Sequence, residues 1–527
     1  MSSAAQGKDE LLIGVDLGTM GTKAGAFDLR GNLVAEAYVE AQLIYPRPGW
    51  VEQRQEDFYQ DAVQAIARCV RAAQIDPQRI ACIAFDSQMA GVGNIDANWR
   101  PVRNYDSWLD LRCTSYVEEI DREYGELVTR IDGCPPMANH APRMVWLRHE
   151  APADFERVAK FVMPSTYVAG RMGGLASTEA FIDYTFLHFS GLCDAQRGVW
   201  SDELCHKLDI PLEKLPRIVE PWTIIGELTP RAADECGLRS GIPIAAGAGD
   251  QAAGALGAGI VSAGMIFDSA GTAAVLATCV DRYVPDVANR TLVISRSVLP
   301  NLWMPLAYIA GGGLCLRWFR DTFVPSEYTV ALSQGANIYA LLDEWAAKIL
   351  PGADRLWFVP HLSGRTLPSQ PAIRGSWIGF TWSHTPAHFY RAILESVAYE
   401  YQIYLAIQRE LLPSVRFTEA HVIGGGARSQ LWNQIKADVL DVPYICLNRS
   451  EYATWGAAMI AGYAVGLVDD LAATARMHAW RSNAIAPDRA HQAIYAQMAS
   501  HYRSLLDTLG PFFAEAQTIT DQRLSDS

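Results

Sequence analysis

Between residues 246 and 259 the chain reads AGAGDQAAGALGAG, and Asp250 is its one ionisable side chain. A lone carboxylate among glycines and alanines can act as an acid–base group, because backbone or ligand can come into contact with it. The same pattern also suits an aspartate that caps a buried, alanine-rich helix, so the stretch needs support from elsewhere. That support begins at DLGTMGTK, residues 16 to 23. Gly18 and Gly21 permit backbone angles that aim successive amides at an anion. Thr19 and Thr22 add hydroxyl donors, and Lys23 adds a positive charge. Asp16, at the end of an apolar run, is placed to hold a magnesium ion through water. GMIFDSAGTAAVLA, residues 264 to 277, repeats the plan of apolar strand, Asp, small residues, Gly-Thr and return strand. Two such hairpins facing each other would clamp a nucleotide.

Two glycine triplets fit the same clamp. IAGGGLCLRWFRD (309–321) and HVIGGGARSQLWNQIKADVLDVPY (421–444) each run strand-like residues into three glycines and then a predicted helix. Gly424 to Gly426 leave room for a flat base or ribose beside free helix-start amides. In the helix that follows, Leu431, Ile435, Val439 and Leu440 are expected to form the buried face. The GxGxxG spacing of a dinucleotide fingerprint is absent. Gln88 in SQMAG, and Asp110 and Arg112 in WLDLR (108–112), stand at strand ends, where α/β proteins place substrate groups; the alternative is surface polarity and helix caps.

The elements that must position these groups can be read around them. LLIGVD, KAGAFD and NLVAEAYVE are predicted strands joined by turns. Phe58, Val63, Ile66, Val70 and Ala73 recur at helical spacing over 56–74, and IACIAFD (80–86) is a further short strand. EYATWGAAMIAG (451–462) reads as a small-residue helix, with Glu451 as a helix-start acid. Residues 150–240 alternate helical and loop signals without a readable motif, and the C-terminal end reads as a helix and a polar tail. The 527 residues imply two to four domains. Half the residues are hydrophobic and 19% charged, which fits a packed globular protein. A net charge of −14 argues against a nucleic-acid partner. The ten cysteines form no CxxC pair and read as reduced structural thiols of a cytoplasmic protein. No signal-peptide core or transmembrane run is apparent, so a membrane is not expected as a partner, and a homodimer is left open.

Taken together, these motifs resemble the FGGY family of carbohydrate kinases over roughly residues 11 to 485. DLGTMGTK and DSAGT resemble its two phosphate motifs, GDQAAGALG its catalytic-aspartate motif, and GGGARSQLWNQIKADVLDVP its adenosine motif. GWVEQ (49–53), PRMVWLRHE (142–150) and GSWIGFTWSHTPAHFYRAILESV (375–397) are similar to further signatures, with Arg143 where a lysine is usual. The resemblance implies an α/β fold of two actin-like (ribonuclease-H-like) ATPase domains flanking a deep cleft. Residues 1–257 would form the N-terminal, sugar-binding domain and 258–527 the C-terminal, adenosine-binding one. It implies ATP and Mg2+ as cofactors, with Asp250 as catalytic base and Asp16 and Asp250 supporting the metal. Gly18, Thr19, Met20, Lys23, Gly271 and Thr272 would hold phosphates; Gly313, Arg317, Gly425, Gly426, Ala427 and Ser429 would surround the nucleoside. Gln88, Met89, Trp108, Asp110, Arg112, Asp250 and Gln251 would face a small sugar or polyol.

AFDSQMAG followed by WLDLR looks most like the xylulokinase branch, with D-xylulose as the leading substrate. The departures are Ala90 in place of a histidine, Leu109 in place of a polar residue, and Met20 in place of a hydroxyl residue in the phosphate loop. Ribulose, a tetrulose or an erythritol-like polyol share the remaining expectation. From a different class, an actin- or chaperone-like nucleotide switch, or a sugar sensor, would carry similar phosphate hairpins.

Overall fold

The computed structural model describes residues 10–449 and 451–525. Strand β1 (Leu11–Leu17) is buried along its length except at Asp16, the pattern of a central strand covered on both faces. Around it lie β2 (Gly21–Asp28), β3 (Leu33–Glu40), β4 (Ile80–Ser87), β5 (Ile224–Glu227) and β6 (Pro243–Gly249). They form one sheet in the order β5-β6-β4-β1-β2-β3. β1 pairs antiparallel with β2 but parallel with β4, and β6 is also parallel to β4. Three parallel strands therefore end at one edge, and their terminal residues Asp16, Asp86 and Gly249 come together there.

The second sheet repeats this plan. β7 (Met265–Ala270), β8 (Ala274–Thr278), β9 (Val293–Arg296), β10 (Trp303–Ile309), β11 (Glu419–Ile423), β12 (Tyr444–Leu447) and β13 (Arg481–Ile485) lie in the order β9-β10-β8-β7-β11-β12-β13. Central β7 takes antiparallel β8 on one side and parallel β11 on the other, as β1 takes β2 and β4. The internal duplication expected from DLGTMGT and DSAGT is thus a duplication of whole sheets, and the fold is the expected mixed α/β arrangement of two domains. At the equivalent strand position the copies differ. Asp268 of β7 is fully buried, paired with Lys436 at 2.6 Å and bonded by the Tyr401 hydroxyl, so it serves the core and not a site.

Helix α1 (Gln55–Ala72) covers the first sheet with the expected apolar stripe, including Phe58, Ile66 and Val70. α2 (Asp250–Gly257) starts at the carboxyl end of β6. α3 (Gly312–Phe323), α4 (Pro386–Leu411) and α5 (Gln430–Leu440) belong to the second half. α5 is packed against α4 on one side and against the C-terminal helix α7 (Arg489–Ser525) on another. It consequently buries Trp432, Asn433 and Lys436 as well as Ile435, Val439 and Leu440, whereas Leu431, expected inside, is only half-buried. The expected polar tail is helical as far as Ser525, and α7 sends Tyr495 and Tyr502 to the buried Glu395 and Glu400 of α4. The unreadable stretch 150–240 resolves into short pieces, among them the helix Pro164–Gly173 and the 3-10 turn Tyr184–Phe189. All ten cysteines are unpaired, nine of them buried. Among the described residues no helix is long and apolar enough to cross a membrane.

The small-residue helix α6 (Tyr452–Ala464) lies late in the chain, yet it packs on α2, β1 and β4 of the first sheet. Its glycines make this possible. A Cβ on Gly456 would lie 2.0 Å from the Ala253 carbonyl oxygen, and one on Gly257 would lie 2.0 Å from that of Tyr452. α2 and α6 therefore touch backbone to backbone. Gly456→Ala is expected to lower stability by about 1–3 kcal/mol, the usual cost of overpacking, read as a reduced urea midpoint in chemical unfolding.

Candidate active site

The register of the first sheet sets the chemistry. Asp16 sits opposite Lys23 on β2 and opposite Asp86 on β4, and Asp86 is level with Ala248, two residues before Asp250. Three carboxyls thus meet where the parallel strands end. Asp16 and Asp250 line a cavity of about 260 Å3 together with Lys23, Gln251 and Glu451. Burial, reinforced by the charge of Asp16, pushes the Asp250 carboxyl up to about 7, against the pull of the Gln251 amide that it accepts. Burial likewise raises Asp16 to about 6, offset by a hydrogen bond from Asp86 and the charge of Lys23, with Glu451 adding to the rise. Asp86 is fully buried, and neither of its oxygens has a nitrogen or hydroxyl partner. Burial and its two carboxylate neighbours hold it protonated, well above the ordinary range, and it shares its proton with Asp16. Sequence reasoning passed over Asp86; its signal was a second strand ending in Asp, parallel to the first.

Glu451 also differs from its expected role. It stands at the start of α6, but its side chain caps no amide and pairs with Lys23 at 2.8 Å. Desolvation works to lower the Lys23 ammonium, and the bond to Glu451 with the nearby Asp16 charge outweighs it and raises it. The predicted phosphate-binding lysine is thus held across the two halves of the chain, on the wall of the carboxylate cavity.

The expected sugar side is built on GWVEQ. The Arg112 side chain is almost wholly buried, paired with Glu52 and Asp110 at 2.7 Å each and with Asp106 at 3.3 Å, and its guanidinium lies 3.8 Å over the Trp50 ring. Asp110 also accepts the Val51 amide. Buried Arg143 donates to the carbonyls of Asp110, Ala138 and Ala90, which fixes Ala90 in a left-handed conformation (φ 64°). Asp110 and Arg112 are therefore engaged by protein groups, and their geometry is that of a scaffold for the loops they occupy. Gln88 is buried, donates to Gln53 at 2.8 Å and accepts from Thr19. Trp108, exposed at the rim, donates to the Thr19 hydroxyl at 2.8 Å. The Thr19 side chain, expected on phosphate, thus joins the phosphate loop to the sugar side. Gly18 closes that loop through its amide to the Gly21 carbonyl, and Met20 projects outward, 62% exposed. Met89 lies against Gly249, where a Cβ would come within 2.5 Å of its terminal methyl. Gln251 Oε1, beside Asp250, is a buried acceptor with no donor.

The second half forms a larger cavity of about 730 Å3, lined by Gly271, Thr272, Gly313, Arg317, Gly425, Gly426 and Ser429. The second hairpin docks directly on the glycine triplet at the start of α3, with the Gly313 amide on the Gly271 carbonyl. Ser429 caps α5 through the Trp432 amide. Ala427 is not on this wall; its carbonyl accepts the Asn433 side chain. Asn337, Tyr339 and Asp343 complete the cavity and were not singled out from sequence, because the helix Ile338–Ala346 that carries them has no motif. The wall thus mixes backbone of the glycine segments with polar and charged side chains, among them Thr272, Arg317, Asn337, Asp343 and Ser429.

Asp16 and Asp250 offer the hard oxygen donors that magnesium takes, and burial opposes the ionisation of both, helped at Asp250 by the charge of Asp16 and countered at Asp16 by Lys23. Among the described residues no group of three or more His, Cys, Asp or Glu is arranged to hold a metal.

Known proteins share this sequence pattern and fold. The profile for "FGGY family of carbohydrate kinases, N-terminal domain" matches residues 11–257, and that for the C-terminal domain matches residues 268–465. Xylulose kinase of Bacillus subtilis is 29% identical over 498 residues, covering 94% of this chain and 95% of that protein. Gluconokinase of the same organism is 29% identical over 471 residues, covering 88% and 90%. The crystal structure of xylulose kinase from Rhodospirillum rubrum superposes with a TM-score of 0.83 at 26% identity, covering 96% and all of that chain.

The raised Asp250 carboxyl carries a stability signature. In the unfolded chain it ionises near 3.8, and in the folded chain only near 7. Between those values the folded state is the more protonated, so wild-type stability falls as pH rises through this window. Asp250→Asn removes that dependence. With chelator present, the variant should gain on wild type by up to about 1.4 kcal/mol per pH unit between pH 5 and 7, and no further above it, measured by urea unfolding.

Proposed function

The chain belongs to the FGGY family of carbohydrate kinases and is a sugar kinase; from that premise we propose that it phosphorylates a small ketose, D-xylulose first, with Asp250 as the base. The observation that carries this reading is the Asp250 carboxyl itself. It is enclosed, has no cationic partner, and titrates near 7, the range in which a general base works best at neutral pH.

In this reading Asp250 accepts the proton of the attacking sugar hydroxyl. A bond forms between that oxygen and the γ-phosphorus as the bond to the β-phosphate oxygen breaks, and ADP leaves. Asp250 then returns its proton to solvent. Lys23 and the backbone amides of the hairpins around Gly18 and Gly271 neutralise phosphate charge, and Thr272 adds a hydroxyl; positioning and charge are most of what such a transfer needs. Asp16 and Asp250 would hold magnesium, which when bound supplies further charge neutralisation on the phosphates. Closure of the two halves would exclude water, so that the sugar and not water receives the phosphoryl group. The glycine triplets and Ser429 would seat the adenosine, with Arg317 at its edge.

On the sugar side, Gln251 Oε1 is the acceptor left without a donor; Gln88 and Trp108, bonded to Gln53 and Thr19, would have to exchange those bonds to meet an acceptor, Met89 offers apolar contact, and Asp110 and Arg112 act by holding their loops. The relatives include both a xylulose kinase and a gluconokinase, and Ala90 lacks the ring nitrogen that a histidine would bring to a sugar hydroxyl. That departure favours, as a second reading, an acceptor without the matching hydroxyl, such as a tetrulose or a tetritol, since unpaired polar groups dominate discrimination. ADP release from Mg-ATP across D-xylulose, ribulose, erythrulose, erythritol and gluconate tests these together. One acceptor should stimulate release strongly, and Asp250→Asn should cut that rate about 100-fold or more. Release equal with and without every acceptor would leave the substrate reading and the assigned base without support, and would favour a nucleotide switch.

A further inference from the structure

A second polar cavity, of about 320 Å3, lies away from the carboxylate cluster, between the segment Tyr184–Gln196 of the first half and the β9–β10 hairpin of the second. Its central side chain is Arg296. The guanidinium stands 4.5 Å over the Trp303 ring and 5.6 Å over that of Tyr184. It donates through Nε to the Ala195 carbonyl at 3.0 Å and through Nη2 to that of Gln196 at 2.7 Å. Nη1 has no protein acceptor, and no carboxylate is paired with this arginine, unlike Arg282 at the mouth, which is matched by Asp281. The lining holds two arginines and one aspartate, with the Asp194 carboxylate also within electrostatic reach of Arg296 but not in contact with it.

An arginine half-withdrawn from water on two aromatic faces, with a free N–H edge and, among the described residues, no carboxylate in contact, can receive an anion. The desolvation it suffers works against its own charge, and a bound anion would offset that cost. We propose that this seam cavity binds a small organic anion, carrying a phosphate or carboxylate against Arg296 and an apolar body against Tyr184 and Trp303. The site touches both halves of the chain. It also adjoins the catalytic side, since Tyr184 precedes Thr185, whose hydroxyl accepts the amide of Gly249 at 2.8 Å, one residue before Asp250. An anion seated here would thus bridge the two halves at the point that supports the base.

Isothermal titration calorimetry of the full chain tests the site, with phenyl phosphate, benzoate and uncharged benzyl alcohol as probes. At least one anion should bind with 1:1 stoichiometry, should bind undiminished in the presence of saturating ADP, and should outbind benzyl alcohol. Phenyl phosphate tighter than benzoate would identify the natural ligand as a phosphate ester, and the reverse as a carboxylate. Arg296→Gln should weaken binding about tenfold or more. Because Arg296 also ties two carbonyls, the exposed Gln196→Glu provides a second variant that leaves those bonds alone and places a carboxylate at the guanidinium; it should weaken binding comparably. Absence of binding by both anions up to about 10 mM, undiminished binding in both variants, or competition with ADP would overturn the proposal.

Discussion

Parallel pairing of β1, β4 and β6 forces three carboxyl groups, Asp16, Asp86 and Asp250, to one end of a sheet with little water around them. Like charges in such a setting cannot all ionise. The structure meets this by keeping Asp86 protonated, by leaving Asp16 and Asp250 poised near neutrality, and by bringing in Lys23 with its own partner Glu451. The duplicated sheet shows the alternative outcome. There the corresponding Asp268 is neutralised by Lys436 within the core, and that half offers glycine-lined space in place of charge.

Around this centre, buried ion pairs join several loops at once. Arg112 satisfies Glu52, Asp106 and Asp110 at once while lying on Trp50. Arg143 ties the Ala90, Asp110 and Ala138 carbonyls together. Such planar, many-armed donors fix several loops in one geometry, which a lysine cannot do with a point charge. In the second half Glu395 and Glu400 play the converse part, accepting from Arg391, Arg365, Tyr495 and Tyr502 to bind α4 to the C-terminal helix.

The phosphate hairpins and glycine triplets were legible in the sequence because their constraint is local: few residues other than glycine tolerate such close approach or such turns. The two-domain α/β plan was implied by the resemblance those motifs carry, and their repetition agreed with it. What was not legible depends on register or on distant partners. Asp86 becomes part of a site only once β4 is known to run parallel to β1 at the same level. The pairing of Glu451 with Lys23 joins opposite ends of the chain, and Thr19 turns toward Gln88 and Trp108 because of where those loops arrive. Leu431 was misjudged since a helix packed from two sides has no single apolar face. Residues 150–240 gave no pattern because their elements are too short for a period to show.

The placement of α6 bears on how the polypeptide comes to be folded during synthesis. The strands of the first sheet are all made by residue 249, but the helix that covers one of their faces begins at Tyr452. That helix emerges about 200 residues later, roughly 10–40 s at ordinary elongation rates. Until then the glycine-lined groove over α2 and β1 is bare to solvent and to chaperones. The first half is thus committed to wait for the last, and the sheet that carries Asp16 and Asp86 acquires its final packing only when translation is nearly done.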